Sequence, residues 1–284
     1  MRRPLWWAAA LALVAACTAT PPSEPAPPPS ADFRVASFNV KGGADTVAGS
    51  WRQRLPGVVA TMREAGAQVY LLQEAERAGR HPRQILAELQ RQTGHTSWAL
   101  ARGPDAVHAI FDSAVFDLTG QQVTDIGDAR VYLELGLRHR ATGVPVVVWT
   151  THLIASGKGR PTPVAAQMRK VEAHRIAAQL GGVRNSIGGG DINSHYRGPG
   201  TLASIISEAG HTEVRDLVVS TANGHLDSND DFLPNAEEGA WLDRLFAGPG
   251  CRVEAVGLVD SGDSSDHNLI WAQVSVGGAA GPAR

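Results

Sequence analysis

Cysteine is nearly missing from this chain: Cys17 and Cys251 are the two present in 284 residues, too few for a disulfide-stapled scaffold. Excess positive charge is missing too. A formal charge of -2 and a pI near 6.5 exclude the global basic field that drives tight, sequence-independent nucleic-acid binding, and leave room only for a local basic patch. The N-terminal apolar run, residues 5–16, is too short for an ordinary transmembrane helix, and neither an internal repeat nor a coiled-coil pattern occurs.

What is present is ample core material, 43% hydrophobic against 19% charged, near the upper size for one domain. Arg2 and Arg3, the apolar residues 5–16 and the closing Val14-Ala15-Ala16-Cys17 resemble a bacterial lipoprotein signal in which Cys17 is lipidated; a plain secretory signal is the alternative. Either reading predicts export, as a cell-membrane lipoprotein or a secreted protein, with membrane contact through the N-terminal lipid alone. Cys251 is then an unpaired thiol, expected to be buried as a small hydrophobe. Residues 1–17 form the leader, 18–32 a Pro-, Ser- and Ala-rich tether, 33–276 the folded domain and 277–284 an unstructured tail. No protein partner is implied, and a monomer is expected.

Residues 33–39 read as a first strand, 51–65 as a helix halted by Gly66, and 69–72 as an apolar strand buried on both faces. A helix at 82–92 and strands at 97–101, 107–111, 121–126, 131–138 and 144–151 follow. Thr162-Pro163 opens a helix running to Leu180, a buried strand ends at Gly188-Gly189-Gly190-Asp191, a helix covers 201–209, and strands at 241–247, 252–258 and 268–276 finish the chain. This mixture predicts an α/β fold of four layers: two mainly antiparallel sheets packed face to face, with helices on their outer sides.

Asp191 and Asn193 share one side of the chain if the backbone stays extended. Polar groups also end other apolar strands: Asn39, Glu74, His152 and Asp266-His267, with Asp243 beside them in Trp241-Leu242-Asp243-Arg244. Each alone is more commonly a turn residue, and Asp243 alone reads equally as a surface partner of Arg244.

Taken in order, Ser37-Phe38-Asn39, Gln73-Glu74, Thr151-His152-Leu153, Gly190-Asp191-Ile192-Asn193, Leu242-Asp243-Arg244 and Ser265-Asp266-His267-Asn268 resemble the endonuclease/exonuclease/phosphatase family. Within it, Gln73-Glu74-Ala75 and Thr151-His152-Leu153-Ile154-Ala155-Ser156-Gly157 are similar to the deoxyribonuclease I-like branch that includes the catalytic subunit of cytolethal distending toxin. Ile192 stands where the family usually has phenylalanine, and Phe38 where tryptophan is common. The glutamate that pairs with the middle histidine in deoxyribonuclease I-like enzymes has no counterpart; that region offers His108 and Asp112.

The resemblance implies a deoxyribonuclease I-like sandwich and a Mg²⁺-dependent phosphodiester hydrolase, with Mn²⁺ as a substitute. Glu74 would be the main metal ligand, with Asn39 and Asp266 supporting the metal and the catalytic groups. Asp191 would orient or deprotonate the attacking water and Asn193 would donate to the phosphate. His152 and His267 would flank it as an acid/base pair, in an order left open.

Asp227-Ser228-Asn229-Asp230-Asp231, with Asn235 and Glu238, has the spacing of a Ca²⁺-binding EF-hand loop, but Phe232 stands where that loop needs glycine. An acidic surface loop is the better reading, with Ca²⁺ kept only as a structural ion. Lys41, Lys158, Arg160 and Arg197 lie near the motif loops and could meet successive phosphates, which favours nucleic acid as substrate and a DNase-like endonuclease. A phosphoinositide or other lipid head group is the alternative substrate. A non-catalytic, toxin-like binding subunit is the third reading, and the intact set of site residues argues against it.

Overall fold

The chain runs β1 (Ser30–Asn39), α1 (Trp51–Ala65), β2 (Val69–Gln73), α2 (Arg80–Thr93), β3 (Trp98–Arg102), β4 (His108–Asp112), β5 (Phe116–Gly127), β6 (Arg130–His139) and β7 (Pro145–His152). It continues with α3 (Thr162–Leu180), β8 (Ser186–Asp191), α4 (Leu202–Glu208), β9 (Thr212–Glu213), β10 (Thr221–Ala222), β11 (Asp243–Ala247), β12 (Cys251–Val259) and β13 (Leu269–Gly277). The computed structural model describes residues 29–277, apart from 43–45, 47, 76–79, 105, 158–161, 197–198, 230–231 and 233–239. The leader with Cys17 therefore lies outside the described residues, as do Lys158, Arg160, Arg197, Asp230, Asp231, Asn235 and Glu238.

One sheet has seven strands in the order β10-β12-β13-β1-β2-β4-β3, and the other six in the order β5-β6-β7-β8-β11-β9. Antiparallel pairs dominate, with β1–β2, β7–β8 and β10–β12 parallel. Alternation along each strand builds the layers. Phe33 and Val35 of β1 join Val69 and Leu71 of β2 and Val146 and Val148 of β7 in the core between the sheets. Ala36 and Phe38, on the other side of β1, pack with Val58, Met62 and Ile85 from α1 and α2. Trp149 and Phe246 face outward from the second sheet onto Ala173 and Ile176 of α3 and Ile205 of α4. The four expected layers are all present.

α1 has its expected bounds and ends at Gly66, whose φ of 60° is the left-handed cap that an L side chain adopts with strain. β1 starts earlier than expected. Ser30, Ala31 and Asp32, assigned by composition to the tether, pair with Gly277, Val276 and Ser275, so both the tether and the tail lose residues to the sheet. Backbone pairing asks little of the side chains, and Ala31 is fully buried. Cys251 is half-buried rather than buried; its Sγ donates to the Ser186 carbonyl at 3.0 Å, and burial pushes the thiol up to about 12. Among the described residues no helix is long and apolar enough to cross a membrane.

Close approach of backbones at β8 fixes the glycines there. A Cβ on Gly189 (φ 158°) would lie 1.8 Å from the Arg244 carbonyl oxygen, and one on Gly190 (φ 150°) 2.0 Å from that of Thr151. Neither neighbour can yield without breaking the β7–β8–β11 ladder. Gly189→Ala should therefore lower stability by about 3 kcal/mol, roughly 6–12 °C in Tm. Thermal unfolding within about 2 °C of the unaltered protein would contradict this packing.

Candidate active site

Inward-facing positions continue past the apolar core to the rim of the sandwich, and there the same alternation delivers polar groups. Asn39 ends β1 after Val35 and Ser37, and His152 ends β7 after Val148 and Thr150. Asp191 ends β8, and Asp243 opens β11 before Leu245 and Ala247. Sheet register sets three of them in one row, with His152 and Asp243 each opposite Asp191. Glu74 follows β2 with φ 52°, and its Oε1 accepts a hydrogen bond from Asn39 Nδ2 at 3.1 Å.

Asp191 lies at the centre, 2% exposed. Its Oδ2 accepts from Asn39 Nδ2 at 3.1 Å and lies 3.4 Å from His152 Nε2 and 3.8 Å from His267 Nε2. Its Oδ1 accepts the Asn193 backbone N–H at 2.8 Å. Burial raises its pKa against the pull of the two histidines.

The histidines are in opposite states. Burial, helped by the charges of Arg130, His267 and Lys41, lowers His152 to about 4 despite Asp191, so its ring is neutral at neutral pH. Arg130 Nη1 lies 3.4 Å from His152 Nδ1, so an arginine stands beside the ring for which a glutamate partner was sought. His108 belongs to the other sheet, opposite Leu72, and Asp112 caps the turn after β4 through the Ala114 N–H at 2.9 Å. His267 is also buried, which works against its charged form, but Asp243, with Asp191 and Asp266, outweighs this and holds it at about 10. Its Nδ1 donates to Asp243 Oδ2 at 2.7 Å.

Asp243 is thus no surface partner of Arg244. It is fully buried, its N–H donates to Ser228 Oγ at 2.8 Å, and Arg244 on the opposite face pairs with Glu213 at 2.7 Å. Asn193 departs from expectation as well. Its φ of 49° ends the extended run, and its Nδ2 donates to the Leu153 carbonyl at 2.9 Å, so part of its amide holds the neighbouring loop. The start of the acidic loop serves the site in the same way: Asn229 Nδ2 donates to the Asp266 carbonyl at 2.9 Å, and the Asp227 carbonyl accepts from Asn268 Nδ2 at 2.8 Å.

Glu74, His152 and Asp191 bring ligand atoms within 4.8 Å of one another, a set that could hold a divalent ion. Asp266 stands on the far side of Lys41, whose Nζ is 2.9 Å from Asp266 Oδ2 and 3.9 Å from Glu74 Oε2. A cationic group already sits between these two carboxylates, and Asp266 Oδ1 is buried with no hydrogen-bond partner. The oxygen-rich donors fit a hard cation.

Sequence reasoning missed the groups that hold these loops. Arg54 of α1 donates to the carbonyls of Val40, Lys41 and Ser264 at 3.3, 2.5 and 2.7 Å. On α3, Arg169 donates to the Ile154 carbonyl at 2.8 Å and Glu172 accepts its N–H at 3.1 Å. The signal was available: Arg54 falls four before Val58, and Arg169 four after Ala165, charged residues at core spacing.

A family model described as "Endonuclease/Exonuclease/phosphatase family" matches residues 36–267. The chain belongs to this family. Family members are metal-dependent phosphoric ester hydrolases. Structural similarity agrees on the fold. A family protein from Bacteroides thetaiotaomicron superposes with a TM-score of 0.70 at 15% identity, covering 87% of this chain and 96% of that one. A mannosyl-6-phosphatase from the same organism gives 0.68 at 15% identity, covering 85% and 99%. TDP2 from D. rerio, complexed with a single-strand DNA product, gives 0.63 at 16% identity, covering 86% and 98%. No curated protein matches the sequence significantly.

The His267–Asp243 pair carries a pH signature. His267 is held at about 10 against an ordinary 6.5, so the stability it contributes is fully present below pH 6.5 and is lost as pH rises through about 10. Asp243→Asn should flatten that slope in denaturant titrations between the two values and move the ring's titration, followed by NMR, to lower pH. An unchanged slope would remove the pair as its source.

Proposed function

We propose that the chain is an exported, Mg²⁺-dependent phosphodiester hydrolase acting as a DNase-like endonuclease. One observation supports it above the rest: a neutral imidazole and a cationic one both direct Nε2 toward the same oxygen of a buried carboxylate, beside Glu74. In the proposed reaction a water oxygen bonds to phosphorus as the bond from phosphorus to the leaving oxygen breaks. Asp191, oriented by Asn39 and made more basic by burial, takes the proton from the water. His267 gives the Nε2 proton to the leaving oxygen, so protons and charge balance, while Asp243 keeps the ring oriented. His152 stays uncharged and flanks the phosphate. Mg²⁺ at Glu74, with Asn39 and Asp266 near it, would neutralise charge on the non-bridging oxygens, and Mn²⁺ would substitute.

Among the described residues, Lys41 and His267 face the carboxyl groups of Glu74, Asp191, Asp243 and Asp266, and Arg130 stands beside His152, so a bound phosphate would meet cations on more than one side. The fold relative solved with a single-strand DNA product adds support from analogy. Export rests on the leader pattern and lipidation of Cys17.

Purified protein should nick supercoiled plasmid with Mg²⁺ and stop in EDTA, and Asp191→Ala and His267→Ala should each lower turnover by about 10²–10⁴-fold with native circular dichroism retained. Folded protein that leaves plasmid intact but hydrolyses a lipid head group or sugar phosphate would replace the nuclease reading. Variants with near-normal turnover would dismiss the site assignment. For the anchor, labelled palmitate should enter the wild-type chain in a bacterial host and not Cys17→Ser; equal labelling would rule out lipidation at this cysteine.

A further inference from the structure

Beside the catalytic loops lies a cavity of about 300 Å³ that none of the chemistry above uses. Ala166, Arg169 and Lys170 of α3 form one wall, Ser194 and Tyr196 of the loop after β8 another, and Leu202 of α4 helps to close it. It adjoins the site through two loops. Ser194 directly follows Asn193, and Arg169 holds the Ile154 carbonyl next to Leu153, which in turn accepts from Asn193 Nδ2.

The wall bearing Tyr196 is built rigidly. Arg244, buried and fixed by Glu213, donates through Nη2 to the carbonyls of Ser194 and Tyr196 at 3.2 Å each. On that base the Tyr196 side chain is left 57% exposed, whereas Tyr70 and Tyr132 are buried. Its ring packs against His195 at 4.2 Å between centroids. Lys170 is exposed on the facing helix. A held aromatic face opposite a free-standing cation is the pairing that receives a planar ring joined to a phosphate. The volume sits at the lower end of ligand pockets, roughly 300–1,000 Å³, and suits one base rather than a duplex.

We propose that this cavity is a subsite for the nucleobase next to the cleaved phosphodiester, with Tyr196 stacking on the base and Lys170 meeting the adjoining phosphate. The inference rests on the nuclease reading. A base must leave its duplex stack to enter, so single strands and frayed ends should be cleaved in preference to intact duplex.

The test uses the full chain and a single-stranded oligonucleotide with one scissile phosphate, its other linkages blocked as methylphosphonates, in normal form and with the flanking bases removed. The unaltered protein should favour the base-bearing form by about 5- to 100-fold in kcat/KM, through KM. Tyr196→Ala should erase that preference and Tyr196→Phe should keep it. On an all-phosphodiester strand, Lys170→Ala should reduce the salt slope of binding by about one. If the oligonucleotide is cleaved but Tyr196→Ala retains the preference, the subsite is wrong and the nuclease reading stands. If neither strand is cleaved while a small phosphomonoester is, the nuclease reading fails and the subsite with it.

Discussion

A carboxylate placed out of water must be met by donors, and in this protein Asp191 is that carboxylate. Its partners come from both sheets. Asn39, 152 residues earlier in the chain, reaches it from β1, while His152 reaches it from β7. The two sheets must therefore meet closely at this rim, and Gly190 of β8 helps them do so, since a Cβ there would lie 3.1 Å from Gln73 Nε2 of β2. A polar seam behind the site, in which Gln73 Nε2 donates to Thr150 Oγ1 at 2.9 Å and to Ser37 Oγ at 3.2 Å, ties the sheets together at the same level. The apolar core below positions the strands; the carboxylate decides how their ends must face.

From that one group the electrostatics of the site follow. Both imidazoles approach the same oxygen and both are buried, so burial alone would leave both neutral. The second neighbour separates them. Asp243 behind His267 stabilises its charge, and Arg130 behind His152 opposes a charge there. Two chemically identical side chains thus acquire opposite proton inventories.

Much of this was legible in the residue order. Continuous apolar runs such as Val69-Tyr70-Leu71-Leu72 announced strands covered on both faces, and α1 announced its own end through Gly66. The polar residues at strand ends were legible because alternation is local. What lay hidden depended on backbone bends or on distant partners. Lys41, Glu74 and Asn193 all adopt left-handed φ values of 47°, 52° and 49°, and no spacing rule forecasts such a turn at a lysine or a glutamate. Arg130 follows a hairpin turn and meets His152 through sheet pairing of β6 with β7, which the sequence does not state. Lys41 looked like a free phosphate contact until its ion pairs with Asp266 and Glu74 were seen.

The pairing of β1 with β13 places the first and last strands of the fold side by side. Asn39 and His267 come from opposite ends of that pairing in sequence, and both address Asp191. A ribosome must finish β13 before the constellation can close, because no earlier segment supplies His267 or the strand that carries it into place. Contacts of such long sequence separation also form late and slowly. An incomplete copy of this hydrolase, whether still being synthesised or cut short, for that reason lacks one of the two imidazoles that address Asp191.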